Sequence, residues 1–581
     1  MSDNKITGYD IYDFIINGAK RIISNEHILN DINVFPVADS DTGSNLSYTM
    51  KCIIAKSYRH EHLGQTLGSI SQVASEDSFG NSGTIFASYL NGLAEETRHK
   101  KALTPKEFAI ATGVATEYAY RSVSSPEEGT MLTVMQDWSN YLLNNSTDSK
   151  DIKDILKDAF GHAQESLMNT KNQLSILKEA DVVDAGALGF IYFLEGILEF
   201  LDTTATHLIH KTISALPKIH KNTGQLTYRY CSEFLVENLN ETFEKHFKKN
   251  FDDKLDSLVI QKNNDFTKIH CHADMPKEIS EYLSSRGTLI KAKIDDMVIQ
   301  NNITEKSKLR IGVITDTIAD LPDEWIENYQ VLRIPLQLIV DGNTYVDRYT
   351  VDGENLHEMI QKASVHPSSG QPGEYFIEKS LKFMLEHFDF VIGIFVSSKM
   401  SGLYDKVKLS ADKINSSRLH IFDSKTNSAC QGLILHDTIR MIESGLSPTE
   451  ILSTLDKTLD KYHIHVEIPD LYYATKSGRV PKILGSIANM FNLKVIISIN
   501  KDGKGIVCRE RSMKQILQRI EKSHEIENYV IVHSDNLQDA KAYAKAMEDI
   551  TGKSPVFINE VSSVVAAFVG QGSVGIGYKV K

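Results

Sequence analysis

The spacing of apolar residues changes twice along this chain, and that change limits the available folds more than any other feature. From Tyr9 to about Leu201 the period is helical: Tyr12, Ile15, Ile16, Ala19, Ile22 and Ile23 follow the i, i+3, i+4, i+7 rule of an amphipathic helix. Segments 106–121, 131–143, 152–170 and 189–201 are long enough for further helices, and hardly any stretch alternates as a strand does. An all-α first domain is expected, over about residues 1–205. From about Ser214 to Gln300 the pattern turns strand-like. Residues 226–236 and 266–272 read as strands and 276–286 as a helix between sheet elements, which makes a small α+β module. The polar stretch 300–308 reads as a linker. From Leu309 to Lys581 short apolar strands (310–315, 390–396, 419–422) alternate with helical stretches such as 402–414 and 433–443. That is the text of an α/β unit built on parallel strands, with a second lobe after about Val466.

Three such blocks agree with the length, since 581 residues are too many for one core. Asp and Glu number 76 against 63 Lys and Arg, a formal charge of −13, so the footprint of a protein that wraps nucleic acid is missing. Five scattered cysteines form no disulfide framework and suit a reducing compartment. The N-terminus lacks a basic-then-apolar signal, and the most apolar stretch, 185–201, is interrupted by Glu195 and Glu199. The expectation is a cytoplasmic protein without an integral membrane segment.

Within the helical text the joints carry the chemistry. Asp39 and Asp41 stand two apart in Asn33-Val-Phe-Pro-Val-Ala-Asp39-Ser-Asp41-Thr42-Gly43-Ser44-Asn45, bounded by Pro36 and Gly43 just before a helix. Carboxylates so spaced converge on a hard cation such as Mg²⁺, although a bare DxDxG is also an ordinary turn. Gly80-Asn81-Ser82-Gly83 opens an apolar helical run, and a small-residue turn there presents backbone N–H groups to phosphate. Glu128-Gly129-Thr130 and Asp184-Ala-Gly-Ala187 open two further helices. Four small-residue joints in one all-helical domain point to a ligand rather than to structure. No GxxxxGK[ST] loop occurs, which excludes a P-loop ATPase. In the middle module His270 and His272 project from one face of a predicted strand while Cys271 points away, and Cys231 on another predicted strand could complete a set suited to Zn²⁺, although a lone HxH is more often a pair of ordinary strand histidines.

The order NVFPVxDxDTGxN, GNSG, EGTxLTV and VVDAG closely resembles the kinase domain of bacterial fatty acid kinase, itself similar to the ATP-binding L subunit of dihydroxyacetone kinase. The resemblance covers about the first third of the chain. It implies an eight-helix barrel with ATP at one end. Asp39, Asp41 and Asn33 would hold Mg²⁺, and Thr42, Ser44 and Asn45 would lie near the phosphates. Gly80, Asn81, Ser82 and Gly83 would surround them, with Gly129 and Thr130 at the next joint and Asp184 on the nucleoside side. The strands around Tyr230-Cys-Ser-Glu-Phe-Leu-Val236 and Lys268-Ile-His-Cys-His272 resemble the family's middle domain, which implies a structural or regulatory zinc on Cys231, His270 and His272.

From Leu309 onward, Ile314-Thr-Asp-Thr317 with Asp320-Leu-Pro322, Ser368-Ser-Gly-Gln-Pro372 and Ser397-Ser-Lys-Met-Ser-Gly402 follow in the order of the DegV family, as does Val569-Gly-Gln-Gly572. Its members are two-lobed α/β proteins that enclose a fatty acid. The resemblance implies a lipid carboxylate gripped by Ser369, Ser401 and Gly402. It also implies a homodimer and a transient contact with a membrane-associated acyltransferase. The chain departs from the two families at Ser40, where Gly is usual, at the altered Ser-Ser-Gly-Gln-Pro turn, and at Phe568, where a His is common. The implied activity is ATP-dependent phosphorylation of a fatty acid to acyl phosphate. A dihydroxyacetone-type kinase and a lipid-binding protein without turnover are the alternatives.

Overall fold

The computed structural model describes residues 4–35, 41–201, 226–263, 265–305, 307–469, 473, 495–523 and 525–581. The chain falls into two compact units, Met1–Met275 with Leu283–Met297, and Pro276–Tyr282 with Val298–Lys581.

The first unit begins as expected, with helices. Ten lie among the described residues up to Leu201: α1 (Gly8–Ser24), α2 (Glu26–Asp31), α3 (Thr42–Lys56), α4 (Leu63–Asp77), α5 (Gly80–Thr97), α6 (Pro105–Ser122), α7 (Met131–Asn145), α8 (Ile152–Gln173), α9 (Ser175–Ala180) and α10 (Ala185–Leu201). Their starts are encoded locally. Thr7 and Thr104 cap α1 and α6, each in a reciprocal capping box with Asp10 or Glu107, and Pro105 opens α6. Helix α1 buries Ile11, Phe14, Ile15, Ala19 and Ile22 against α10. Helix α10 is buried almost all round, so its Glu195 needs a partner, and Arg21 supplies one at 2.8 Å. Phe86, Phe190 and Phe193 meet at the centre, each side chain adding about 1.5–3 kcal/mol of burial.

After two short paired strands, β1 (Ile6–Thr7) and β2 (Ala102–Leu103), the remaining strands among the described residues of this unit are β3 (Tyr230–Glu237), β4 (Leu255–Lys262), β5 (Phe266–Ala273) and β6 (Thr288–Asp296). They form one antiparallel sheet in the order β4-β5-β3-β6. The register sets rows of side chains on one face. Asp256, His272, Cys231 and Asp295 form one row, and Val259, His270, Glu233 and Lys293 the next. This polar face lies against the helices: Lys268 donates to the carbonyl and hydroxyl of Ser78, and Asn91 Nδ2 donates to the Lys262 carbonyl at 2.9 Å. Just beyond the end of α6, Ser124 N donates to the Leu258 carbonyl of β4 at 3.0 Å.

The second unit holds a parallel sheet with strands Leu419–Asp423, Phe390–Phe395, Ile311–Asp316 and Leu332–Ile334 side by side. It also holds a six-stranded mixed sheet that includes Tyr462–Ile468, Val495–Ile499 and Val574–Val580. One expectation fails before it. The stretch read as a linker from Gln300 is helical in Met297–Glu305, because Ile299 and Ile303, one turn apart, are buried in this unit's core. Their apolar pair outweighs the polar residues around them. Among the described residues no helix is long and apolar enough to cross a membrane.

Candidate functional site

Three helix starts meet at one cavity in the first unit. Asn81 and Ser82 from the first turn of α5, Thr130 to Leu132 from the start of α7, and Asp184 at the start of α10 all line it. It encloses about 1120 Å³, its open mouth included. The helix dipole at each start favours an anion. Thr130 caps α7 by accepting the Leu132 N–H, and Asp184 Oδ1 accepts the Ala187 N–H at 2.8 Å. Gly129, beside Thr130, has φ +86° and donates to Thr133 Oγ1 at 2.9 Å. The side-chain oxygens of Asn45 and Asn81 are buried with no hydrogen-bond partner among the described residues. Orphaned acceptors of this kind are expensive unless a ligand or water meets them.

The carboxylate loop is described only from Asp41 onward; Asp39 and Ser40 lie outside the described residues. Asp41 occupies the N-cap position of α3, and its side chain makes no capping bond to the helix. Thr42 Oγ1 donates to Asn33 Oδ1, tying the two ends of the loop together. Ser44 faces α2, where its hydroxyl donates to Glu26 Oε1 at 3.1 Å and accepts from Asn30 Nδ2 at 2.9 Å. Gly43 is required by packing: a Cβ there would collide with the Glu26 carbonyl oxygen. At Gly80 the backbone is left-handed, φ +65°, and a Cβ would strike the Asn45 amide. Gly83 packs beside Thr49. The oxygen donors Asp41 and Asn33 suit a hard cation such as Mg²⁺.

On the polar face of the sheet, single ligand atoms of Cys231, His270 and His272 lie within 4.8 Å of one another. Both ring nitrogens of His270 are buried without a hydrogen bond, and His272 Nδ1 lies 3.1 Å from Asp256 Oδ1. A thiol with two imidazoles, one of them beside a carboxylate, is a donor set suited to zinc. Burial pushes the Cys231 thiol well up, and Asp295, Glu233 and Asp41 raise it further, although Lys293 opposes them.

In the second unit Ser369 and Ser401 line an apolar cavity with Ile318, Val396, Ile497 and Val565, about 840 Å³ including its mouth. Phe568 lines it too, 6.4 Å from the ring of His366. Ser401 Oγ accepts the Leu403 N–H at 3.2 Å, and Gly402 stands at the N-cap of the helix Leu403–Ile414, where a Cβ would meet Gln371. Asp316 and Asp320 are buried and organise the backbone. Asp316 accepts from the Val396 and Ile318 amides, and Asp320 accepts from Ser562 N and pairs with Arg348.

Three family models match in sequence: a DAK2 domain over residues 36–199, the middle domain of fatty-acid-kinase-like proteins over 227–304, and an "Uncharacterised protein, DegV family" over 310–581. The chain matches the domain order of a fatty acid kinase fused to a DegV unit. An uncharacterized protein of Staphylococcus epidermidis is 30% identical over 348 residues, 55% of this chain and 62% of the relative. One from Staphylococcus haemolyticus is 28% identical over 53% of this chain and 58% of its own. The chain thus spans about 60% of the length of these relatives. Similar solved structures include a fatty-acid-binding DegV family protein from Thermus thermophilus, with TM-score 0.43 and 21% identity over 47% of this chain and 100% of that one. A DegV lipid-binding protein from Thermotoga maritima has TM-score 0.41 and 25% identity over 47% and 99%.

Within the DAK2 and middle regions the residues named from sequence fall into groups. Asn81, Ser82, Thr130 and Asp184 line one cavity, whereas Ser44 is committed to α2. Sequence reasoning missed the middle domain's share of that cavity: Asp252 and residues 255–259 line it. It also missed Glu233, although a charged residue inside the buried run 232–236 of a strand is a signal that a partner waits for it. Asp184 has a consequence for stability. Burial raises its pKa from 3.8 to about 6, against the backbone hydrogen bonds that lower it. The folded state therefore holds the proton more tightly than the unfolded chain, so Asp184 favours folding most at low pH, and that advantage is lost as pH rises from about 4 to about 6. Asp184→Asn keeps the acceptor for Ala187 and removes the titration. Between about pH 4 and pH 7 the wild type should lose up to about 3 kcal/mol relative to this variant in denaturant melts. Parallel pH profiles would overturn the assignment.

Proposed function

We propose that the chain transfers a phosphoryl group from ATP to the carboxylate of a fatty acid held in the DegV unit, giving acyl phosphate and ADP. The observation that carries this reading is the convergence of three helix starts on one cavity. The DAK2, middle and DegV matches support it, as does the apolar cavity that Ser369 and Ser401 line.

A fatty carboxylate is already ionised near neutral pH, so no residue has to remove a proton. The barrier lies in bringing an anionic nucleophile to an anionic phosphate. The amides of residues 81–83 in the first turn of α5 receive the phosphates, Asn81 and Ser82 orient them, and Asp184 lies toward the nucleoside. Asp41 with Asp39 and Asn33 would hold Mg²⁺, which when bound supplies charge neutralisation. In the DAK2 part the helices would close as an eight-helix barrel around the site. Ser401 and Ser369, with the Gly402 amide, would meet the lipid carboxylate, and the apolar wall would take the acyl chain. Carrying donor and acceptor domains on one chain raises their effective concentration. Cys231, His270 and His272 would hold zinc that joins β3 to β5.

Incubation of the full chain with ATP and Mg²⁺ tests this reading. ADP and an acyl phosphate, trapped with hydroxylamine, are expected with oleate and not with dihydroxyacetone. ADP formed only with dihydroxyacetone would assign the ketone kinase activity instead. Bound oleate without ADP would leave a lipid-binding protein.

A further inference from the structure

Glu233 is a buried carboxylate that the proposed reaction does not use, and its surroundings are built with care. It lies 4% exposed on β3, directly opposite His270 on β5 and Lys293 on β6. Its Oε1 accepts the N–H of Gly80, the first residue of α5, at 2.9 Å. The same oxygen lies 3.7 Å from His270 Nδ1 and 3.7 Å from Lys293 Nζ, and Oε2 lies 3.7 Å from Lys268 Nζ. Burial opposes its charge, but Lys293, His270 and Lys268 hold its carboxyl well below the usual carboxylate range. Lys268 in turn donates to Ser78, two residues before Gly80. One carboxylate thus clamps the turn into α5 from the sheet side, at a glycine whose left-handed backbone sets the direction of the next amides.

A second carboxylate repeats the arrangement one row away. Asp256 lies 3.1 Å from His272 Nδ1 and also lines the cavity at the helix starts. Each histidine of the Cys231–His270–His272 cluster therefore has a carboxylate beside it, and each carboxylate reaches the cavity or the turn that borders it. A cluster serving only to brace the sheet would need neither link.

We propose that Glu233 is a positioning residue of the nucleotide site: it ties the first amide of α5 to the Cys231–His270–His272 cluster, so that the state of the cluster governs how tightly nucleotide is held. This rests on the nucleotide reading of the cavity. The mechanism is mechanical. When the imidazole of His270 is fixed, Glu233 stays on Gly80 and the amides of residues 81–83 keep their aim. When it is free to turn, Glu233 is drawn toward Lys293 and Lys268, and the turn loses its anchor.

Equilibrium binding of a fluorescent N-methylanthraniloyl ATP to the full chain tests this, with zinc content measured on every sample. The wild type is taken as isolated, after chelator treatment, and after zinc is returned; Glu233→Ala, Glu233→Gln and the Cys231→Ser/His270→Ala double variant are run beside it. About one zinc per chain is expected in the wild type and in both Glu233 variants, and none in the double variant. Stripping should weaken nucleotide binding about tenfold and zinc should restore it. Glu233→Ala should bind about tenfold more weakly with its zinc in place, and should no longer respond to stripping. Glu233→Gln, which keeps an acceptor for Gly80, should recover to within about threefold of wild type. This recovery separates positioning from a folding defect, because a variant that merely unfolds is not rescued in its metal response. Nucleotide binding that ignores both stripping and Glu233→Ala would overturn this inference and leave the kinase reading standing. Absence of nucleotide binding from the untreated wild type would remove the kinase reading and this inference with it.

Discussion

Asp41→Asn should lower ATP turnover by about a thousandfold while leaving the amount of bound fatty acid unchanged. A neutral amide in place of a carboxylate removes charge from the proposed Mg²⁺ site, and several kcal/mol of transition-state stabilisation would depend on that cation. At about 1.36 kcal/mol per decade, a loss of about 4 kcal/mol corresponds to three orders of magnitude. Asn has nearly the shape of Asp, so stability should change far less than turnover. A coupled assay for ADP, a thermal melt and mass spectrometry of extracted lipid measure the three quantities separately. Asp39→Asn should behave alike, on the motif alone. Near-normal turnover in both variants would remove the metal assignment, and a collapsed melt would mean that Asp41 serves the fold instead.

The DegV unit should leave purification loaded. Each CH₂ taken from water contributes about 0.8 kcal/mol, so a long acyl chain in a wall of Ile318, Val396, Ile464, Ile497 and Val565 gains on the order of 10 kcal/mol before ordering costs. Organic extraction of the full chain followed by mass spectrometry should find about one fatty acid per molecule. Val565→Trp fills the cavity from its wall and displaces several methylenes, so lipid content should fall by at least about tenfold. Ser401→Ala should retain lipid and only loosen it, since one hydrogen bond to a charged acceptor contributes roughly 1.5–3 kcal/mol. An extract empty of fatty acid, with none taken up on incubation, would refute the carrier role. Phe568→His adds an internal control: it should raise phosphorylation of bound lipid more than it raises lipid content.

How much of this was legible beforehand differs from residue to residue. The helical text of the first 201 residues was readable because Thr7, Asp10, Thr104 and Glu107 sign the helix starts locally, and the apolar stripe of α1 shows its buried face. The shared face of His270 and His272 followed from the two-residue period of a strand. That Cys231 stands opposite His272, and Glu233 opposite His270, is a matter of register between β3 and β5, which the long stretch of chain between them does not announce. The helix at Met297–Glu305 was hidden because two isoleucines among polar neighbours make a weak pattern until a core receives them.

Sequence by itself determined the periods, the helix starts and the chemical character of each joint, because those are properties of neighbours along the chain. Tertiary structure alone decided which joints meet. It joined the starts of α5, α7 and α10 at one cavity, with β4 as part of its wall. It gave Ser44 to α2 and required Gly43 for a close approach to Glu26, roles that the DTGS motif could not distinguish from phosphate binding. The reason is physical: spacing along the chain fixes the face of an element on which a side chain stands, but only packing decides what that face meets.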